Sequence, residues 1–482
     1  MNRRTKIVAT LGPRSDDPKV LDRMIEAGMD VARLNFSHDA HEVHKERAKT
    51  ARNRARAHGR QIGVIIDLQG PKIRIERFAN GKIELTDGDN FILDSAHDPN
   101  QGNQERVGIA YKELPNDVGR GDTLLLNDGR ILLWVEEVEG TEVRCRVTQG
   151  GELSDRKGIN KQGGGLSAPA LTDKDRADIL SAADIKADYL AVSFVRNAED
   201  VNEARRLLRA AGGEGGIIAK VERAEALDKL EEIIEASDAI MVARGDLGVE
   251  IGDEALPPVQ KRMISLAREM NRVVITATQM MESMIESPIP TRAEVFDVAN
   301  AVLDGTDAVM LSAETAVGKY PDKVIAAMHR ICLGVEKQRA VTHSDHRINT
   351  EFEHIDEAVA MASMYTANHL GVKAIAALTE SGSTALWMSR ISSGIPIYAL
   401  TSHVQTRRKV TLYRGVYPVS FETTSNDHAV VNKEAIDELV RRGAVRDGDL
   451  VIITKGDLMG KLGGTNAMKV VRVGDMEVPE ET

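Results

Sequence analysis

The feature that most constrains this chain is a short apolar run that ends abruptly in charged or polar residues and occurs eight times. The runs are KIVATLGP (6–13), DVARLNFSH (30–38), IGVIIDLQGPKIR (62–74), YLAVSFV (189–195), IIAKVE (217–222), AIMVARGDLG (239–248), VVITATQM (273–280) and AVMLSAET (308–315). Continuous apolar runs of this length suit parallel strands buried on both faces. Helical pattern lies between most of them, over residues 17–27, 41–58, 198–211, 224–236, 257–270 and 292–304. Ser15 and Asp16 are suited to cap the first helix and Gly28 to stop it. Strand–helix alternation implies parallel strands joined by right-handed crossovers. Eight such units predict an α/β fold, a (β/α)8 TIM barrel.

One unit breaks the rhythm. Between Ile66 and Tyr189 the segments KIELTDGDNFIL, DTLLLNDGRILLWVEEVEG and TEVRCRVTQGG alternate apolar and polar residues and are punctuated by DG, EG and GG. That is the pattern of antiparallel hairpins. It predicts a small β-barrel domain inserted after the third strand, over 71–167, with QGGG (162–165) as a hinge on the return crossing. Past Arg339 a polar stretch, THSDHRINTEFEH, precedes an amphipathic helix over 355–370 and the strands AIAALT, IYALT, VYPVSF, DLVIIT and MKVVRV. The expected organisation is a catalytic barrel over 1–70 and 168–340, the inserted domain as a lid, and a C-terminal α/β regulatory domain over 341–482.

Composition narrows the function classes. A net charge of −11 and 3% aromatic residues argue against nucleic acid as a partner. No run approaches the roughly eighteen apolar residues of a membrane span, so no membrane partner is expected. Two solitary cysteines, Cys145 and Cys332, suit a reducing cytoplasm and exclude a cysteine metal site.

Chemistry collects at the C-terminal strand ends, where barrel enzymes keep it. Strand two supplies Arg33, Asn35, Ser37 and His38; strand three Asp67, Lys72 and Arg74; strand five Lys220 and Glu222. Strand six supplies Gly245 and Asp246, strand seven Thr276, Thr278 and Gln279, strand eight Ser312, Glu314 and Thr315. Lys220 and Glu222, two apart, point to the same side of a strand. Cations and carboxylates together at a barrel mouth suit a phosphorylated substrate held through a hard ion such as Mg²⁺. Three histidines in SHDAHEVH suggest zinc at first glance, but helical spacing without a nearby cysteine favours a solvated face.

The blocks ARLNFSH, DLQGPKIR, IAKVE, ARGDLG, TATQMMESM and PTRAEVFDVANAVLDGTDAVMLSAETAVGKYP resemble pyruvate kinase, and the resemblance covers the whole chain. It implies phosphoryl transfer from phosphoenolpyruvate to ADP in glycolysis, with Mg²⁺ or Mn²⁺ on Glu222 and Asp246. Arg33 would hold the phosphoryl group, and Lys220 would meet the charge that develops on it and on the enolate. Gly245, Asp246 and Thr278 would grip the substrate carboxylate. Protonation of the enolate falls to Thr278 or to a water relay through Thr278 and Ser312. Arg74, Asn35, His38 and Lys157 would contact the nucleotide.

Many pyruvate kinases need potassium. Here Asn35, Ser37 and Asp67 keep that region, while Leu68 stands at its threonine position and Lys72 at its glutamate position. A leucine cannot ligate a cation and an ammonium can replace one, so activity without K⁺ is expected. In TESGSTA (379–385), Thr379, Ser381, Ser383 and Thr384 open a helix, and with KGDLMGKLGGTNAMK they resemble the family's allosteric phosphate pocket. A sugar phosphate or a nucleoside monophosphate is the expected effector, and a homotetramer the expected assembly. Two rival readings are a phosphoenolpyruvate/pyruvate barrel that acts on C–C bonds and a non-catalytic metabolite sensor.

Overall fold

A computed structural model describes residues 3–338, 342, 351–457 and 463–475. Eight parallel strands close into a barrel: Lys6–Thr10, Val31–Asn35, Gly63–Asp67, Tyr189–Val192, Gly216–Val221, Ala239–Ala243, Val273–Ala277 and Ala308–Leu311. Alternation decides which residue does what. Val8, Val31, Ile65, Tyr189, Ile218, Met241, Ile275 and Met310 share one buried apolar cluster, whereas their strand neighbours, such as Ile7, Ala32, Ile66 and Ala219, pack in another with the surrounding helices. Continuing the inward parity toward the C-terminal ends reaches Thr10, Arg33, Asp67, Ser193, Lys220 and Glu222.

The first helix is Pro18–Ala27, capped by Asp17, whose carboxylate accepts from Lys19 N at 2.9 Å; Gly28 ends it at φ 119°. The expected caps are otherwise engaged. Ser15 closes the short 3-10 turn Pro13–Ser15, and Asp16 receives the Arg47 guanidinium at 2.6 and 2.8 Å. The helix expected over 224–236 is interrupted, with a 3-10 turn at Ala224–Leu227 and an α-helix at Leu230–Ala236. RGDLGVEI turns directly from the sixth strand into a helix, Arg244–Ile251.

The inserted domain holds a six-stranded sheet and a two-stranded sheet, Lys82–Leu85 with Gly151–Ser154, around a core that includes Phe91, Leu93, Leu124, Leu133, Val135 and Val147. The expected small β-barrel thus takes the form of two ladders over one core. The chain returns through Ile159–Lys161 and the glycines Gly163, Gly164 and Gly165, all at positive φ, to the helix Asp173–Asp184.

The C-terminal domain opens with the helix Ile355–Leu370 and forms a five-stranded sheet with Ala374–Leu378 at its centre. Ile397–Thr401 and Val416–Ser420 lie on one side; Leu450–Lys455 and the antiparallel Ala467–Arg472 lie on the other. This domain seals the N-terminal end of the barrel: Val410, Leu412 and Tyr413 belong to the same cluster as the inward strand residues. The Tyr189 hydroxyl donates to Lys409 O at 2.8 Å. The approach is close enough that a Cβ at Gly63 would fall 2.7 Å from Thr411 Oγ1.

Candidate active site

At the other end of the barrel the inward polar residues meet. Arg33 donates through Nε to Asp67 Oδ2 at 2.7 Å and through Nη1 to Thr10 Oγ1 at 2.9 Å. The Lys220 ammonium lies 3.2 Å from Asp67 Oδ1 and 2.9 Å from Glu222 Oε1, and donates to Ser193 Oγ at 2.6 Å. Glu222 Oε2 accepts from Phe194 N at 2.9 Å, and Phe194 adopts φ 56°. Two cations and two carboxylates therefore form one buried chain across strands two, three and five.

Their protonation follows from the packing. Burial works against the Lys220 charge, but Asp67 and Glu222 outweigh it and hold the ammonium above its ordinary range. Burial also opposes the Asp67 charge, and Lys220 and Arg33 more than compensate, so its carboxyl titrates below the usual range. For Glu222 burial prevails, with Asp246 adding repulsion, and its carboxyl is raised despite Lys220. A carboxylate pushed up by a like-charged neighbour is one that a cation placed between them would relieve. Glu222 and Asp246 thus fit a hard divalent ion that takes its other ligands from water and substrate oxygens.

Strands six and seven close the cleft. Gly245 N donates to Thr278 Oγ1 at 2.9 Å, and that hydroxyl donates to Ala277 O at 2.6 Å. Thr278 and Gln279 adopt φ 68° and 54°; for a β-branched residue this is a costly conformation of the kind held at functional sites. It is held there by Arg244, which donates to Thr278 O at 2.7 Å and forks onto Asp297 at 2.6 and 2.7 Å. Glu314, 3% exposed, accepts from Ser312 N at 2.6 Å and Met281 N at 3.2 Å, tying strand eight to the turn after strand seven.

Residues 2–325 match the family described as "Pyruvate kinase, barrel domain" and residues 357–471 match "Pyruvate kinase, alpha/beta domain". The chain belongs to the pyruvate kinase family. It is 56% identical over 475 residues to the Salmonella typhimurium protein "Pyruvate kinase II", covering 98% of this chain and 99% of that one. A "Pyruvate kinase" of Buchnera aphidicola subsp. Acyrthosiphon pisum is 55% identical over 475 residues, with the same shares covered. One from Haemophilus influenzae is 54% identical over 458 residues, covering 94% of this chain and 96% of that one.

Other residues singled out in the pyruvate kinase pattern lie as follows. Lys72 does not stand free: its ammonium meets Asp246 Oδ1 at 3.0 Å. Asn35 Oδ1 accepts from Ser37 N at 3.2 Å, and Leu68 is fully buried. Arg74 is exposed, donating to Arg156 O at 2.9 Å, and Lys157 is half-buried in the same part of the inserted domain. Thr276 points outward, its hydroxyl 3.0 Å from that of Thr306, and Thr315 is turned to Thr10 O at 2.8 Å, so neither faces the cleft. The histidines do not converge. His38 is exposed, His41 bonds Asp178 and Ser181 at 2.6 and 2.8 Å, and His44 bonds His38 O at 2.7 Å.

In the C-terminal domain a cavity of about 410 Å³ is lined by Thr379, Ser381, Ser383, Thr384, Lys455 and Thr465, among others. Gly382 N donates to Thr379 Oγ1 at 2.9 Å, and the Thr384 and Thr465 hydroxyls lie 2.7 Å apart. Phe421, at the end of VYPVSF, also lines it, as do Glu422 and Asn426 from the loop that follows, which the sequence left unremarked. Residues 458–462 of the glycine-rich segment lie outside the described residues. Sequence reasoning also passed over Thr10 and Ser193, the hydroxyls that hold Arg33 and Lys220; Thr10 ends its strand and Ser193 follows its own, both on the inward parity, which is the signal that finds them.

Proposed function

We propose that this chain transfers the phosphoryl group of phosphoenolpyruvate to ADP, giving pyruvate and ATP. The observation that carries the reading is the continuous Arg33–Asp67–Lys220–Glu222 ion network opening beside Asp246 at a barrel mouth. Phosphoryl transfer asks a protein for positioning and charge stabilisation more than for covalent chemistry, and this network offers both. Glu222 and Asp246 hold the divalent ion, which when bound offsets the negative charge of the substrate oxygens. Arg33 has Nη2 without a hydrogen-bond partner among the described residues and turns it to the phosphoryl group. Lys220 stabilises the charge that develops as the bond to the enol oxygen breaks. Gly245 N and the Thr278 hydroxyl, now bonded to each other, are the donors offered to the substrate carboxylate. Thr278, directly or through water, delivers the proton to the enolate carbon. Arg74, Asn35, His38 and Lys157 hold the nucleotide, and closure of the inserted domain excludes water from the enolate.

The test is direct: supply phosphoenolpyruvate, Mg²⁺ and ADP and measure pyruvate and ATP together. Omitting ADP should abolish both products; no pyruvate and no ATP with all three present overturns the reading and leaves the C–C enzyme and the metabolite sensor.

Three finer statements belong to the same reading. Lys72 supplies the positive charge that K⁺ brings elsewhere in the family, so turnover in tetramethylammonium buffer equals turnover in KCl; strong stimulation by KCl overturns this. A phosphorylated metabolite bound in the C-terminal cavity, against Thr379, Ser381, Ser383 and Thr384, shifts the phosphoenolpyruvate saturation curve. The chain works in the cytoplasm as a homotetramer, and light scattering reads its mass against the 52.6 kDa subunit. Among the described residues no helix is long and apolar enough to cross a membrane.

A further inference from the structure

The helix Arg244–Ile251 touches both sides of the cleft. Its first turn carries Gly245 and Asp246. Its last turn carries Glu250, 5% exposed, which reaches the base of the inserted domain. Glu250 Oε1 accepts from Asn160 Nδ2 at 3.3 Å, on the strand by which the chain leaves that domain. Its Oε2 accepts from Ala224 N at 2.9 Å, two residues beyond Glu222. Its backbone carbonyl accepts from Gly163 N at 3.0 Å, inside the glycine hinge. Val249 comes close to Gly129, in a turn of the inserted domain: a Cβ built there would lie 3.8 Å from its methyl. Asp246 and Glu250 are four apart and so stack on one helix face, a single turn from each other.

We propose that Glu250 is a positioning residue that couples the inserted β domain to the Gly245–Asp246 end of its own helix. The inference rests on the role given to that end under the proposed function. A helix this short moves as a rigid rod, so a swing of the domain about its hinge pulls Asn160 and Gly163, and Glu250 passes the displacement to Asp246 one turn away. Arrival of the nucleotide under the lid thereby adjusts the group that holds metal and substrate.

The electrostatics make the coupling readable. Burial is the main influence on the Glu250 carboxyl and pushes it up to about 7. The charged groups around it are few. Glu225 raises it and Arg223 lowers it, but the Arg223 guanidinium is spent on Leu166 O and Ala168 O. Lys161, beside Asn160, is turned to Asp122 at 3.0 Å, and Asp246 adds a like charge on the same helix. A carboxyl raised where it is docked is more acidic once released, so the docked arrangement is favoured at low pH and weakens as pH rises through about 7.

The experiment uses steady-state kinetics of the full chain as E250Q, E250A, N160A and the double variant E250A/N160A, from pH 6 to 8. Wild-type turnover comes first; its absence sinks the functional reading rather than the coupling. The coupling predicts that E250A raises KM for ADP tenfold or more, whereas E250Q, which keeps a hydrogen bond, stays within threefold. The double variant should be no worse than E250A, because both single changes cut one connection. Wild-type KM for ADP should climb with pH and that of E250Q should stay flat. The proposal is overturned if E250A stays within twofold of wild type, if the two single effects multiply, or if E250Q keeps the wild-type pH profile.

Discussion

At the floor of the barrel, Arg390 and Asp307 are each 1% exposed and meet as a two-point fork. Arg390 also donates to Arg272 O at 2.7 Å and Ser389 Oγ at 2.9 Å, while Asp307 accepts from Val274 N at 3.0 Å and Arg414 N at 3.1 Å. Glu336, in the same region, accepts from Arg4 N, Thr5 N and the Thr5 hydroxyl at 2.6–2.8 Å. At the mouth, Asp67 is as deeply buried but left incomplete: its Oδ1 has no hydrogen bond and only the Lys220 ammonium at 3.2 Å. Glu222 is buried beside a like charge. The same residue types thus serve two ends. Where backbone and hydroxyl groups complete both partners of an ion pair, the pair fastens one domain to another; where a buried carboxylate oxygen such as Asp67 Oδ1 is left to an ammonium alone, the set can exchange partners with a ligand.

The comparison can be broken from either side. Arg390→Ala should destabilise the fold by about 3–5 kcal/mol, the cost of stranding a buried charge, read as a fall in the thermal midpoint. Turnover per folded molecule should not change; a loss of turnover without a loss of stability would merge the two classes. Lys220→Met should act on the chemistry. Turnover per folded molecule, which Arg390→Ala leaves unchanged, should drop by a factor of hundreds or more, about 3–4 kcal/mol of lost charge stabilisation. Near-normal turnover would remove Lys220 from the chemistry.

A subtler test concerns Lys6, 2% exposed at the floor, whose ammonium donates to Val416 O at 2.6 Å. Burial pulls it down from 10.5 to about 8, so between those values the native chain binds fewer protons than the unfolded one. Stability therefore rises with pH through that window. Lys6→Met removes this rise, and the wild-type midpoint should gain on the variant between pH 7 and 9.5. A constant gap between them would show that the amine does not titrate in the fold.

Much of this was readable in the chain before its coordinates. The eight barrel strands announce themselves because burial on both faces makes each an unbroken apolar run, and Lys220 and Glu222 share a face because they are two apart. The site residues most easily missed were the plainest. Thr10 and Ser193 are short hydroxyls with no pattern of their own, marked only by the parity of their strands. Thr276 shows the opposite error: one residue out of phase, it faces Thr306 and the helix layer. The partner of Lys72 could not be read, because Lys72 and Asp246 stand 174 positions apart with no local signal of contact. Nor does RGDLGVEI advertise a helix; its glycines and charges interrupt any apolar stripe, and it forms where strand six ends under the inserted domain.

The sealing of the barrel floor bears on how the chain can be cut. Val410, Leu412 and Tyr413 lie in one cluster with Val8, Val31, Ile65 and Met310, so the barrel's innermost residues are shielded by a part of the chain hundreds of positions away. A chain broken between the barrel and the helix Ile355–Leu370 should keep its two fragments associated and working. Stripping the C-terminal fragment away would uncover that greasy opening, and what remains should precipitate rather than persist as a smaller enzyme.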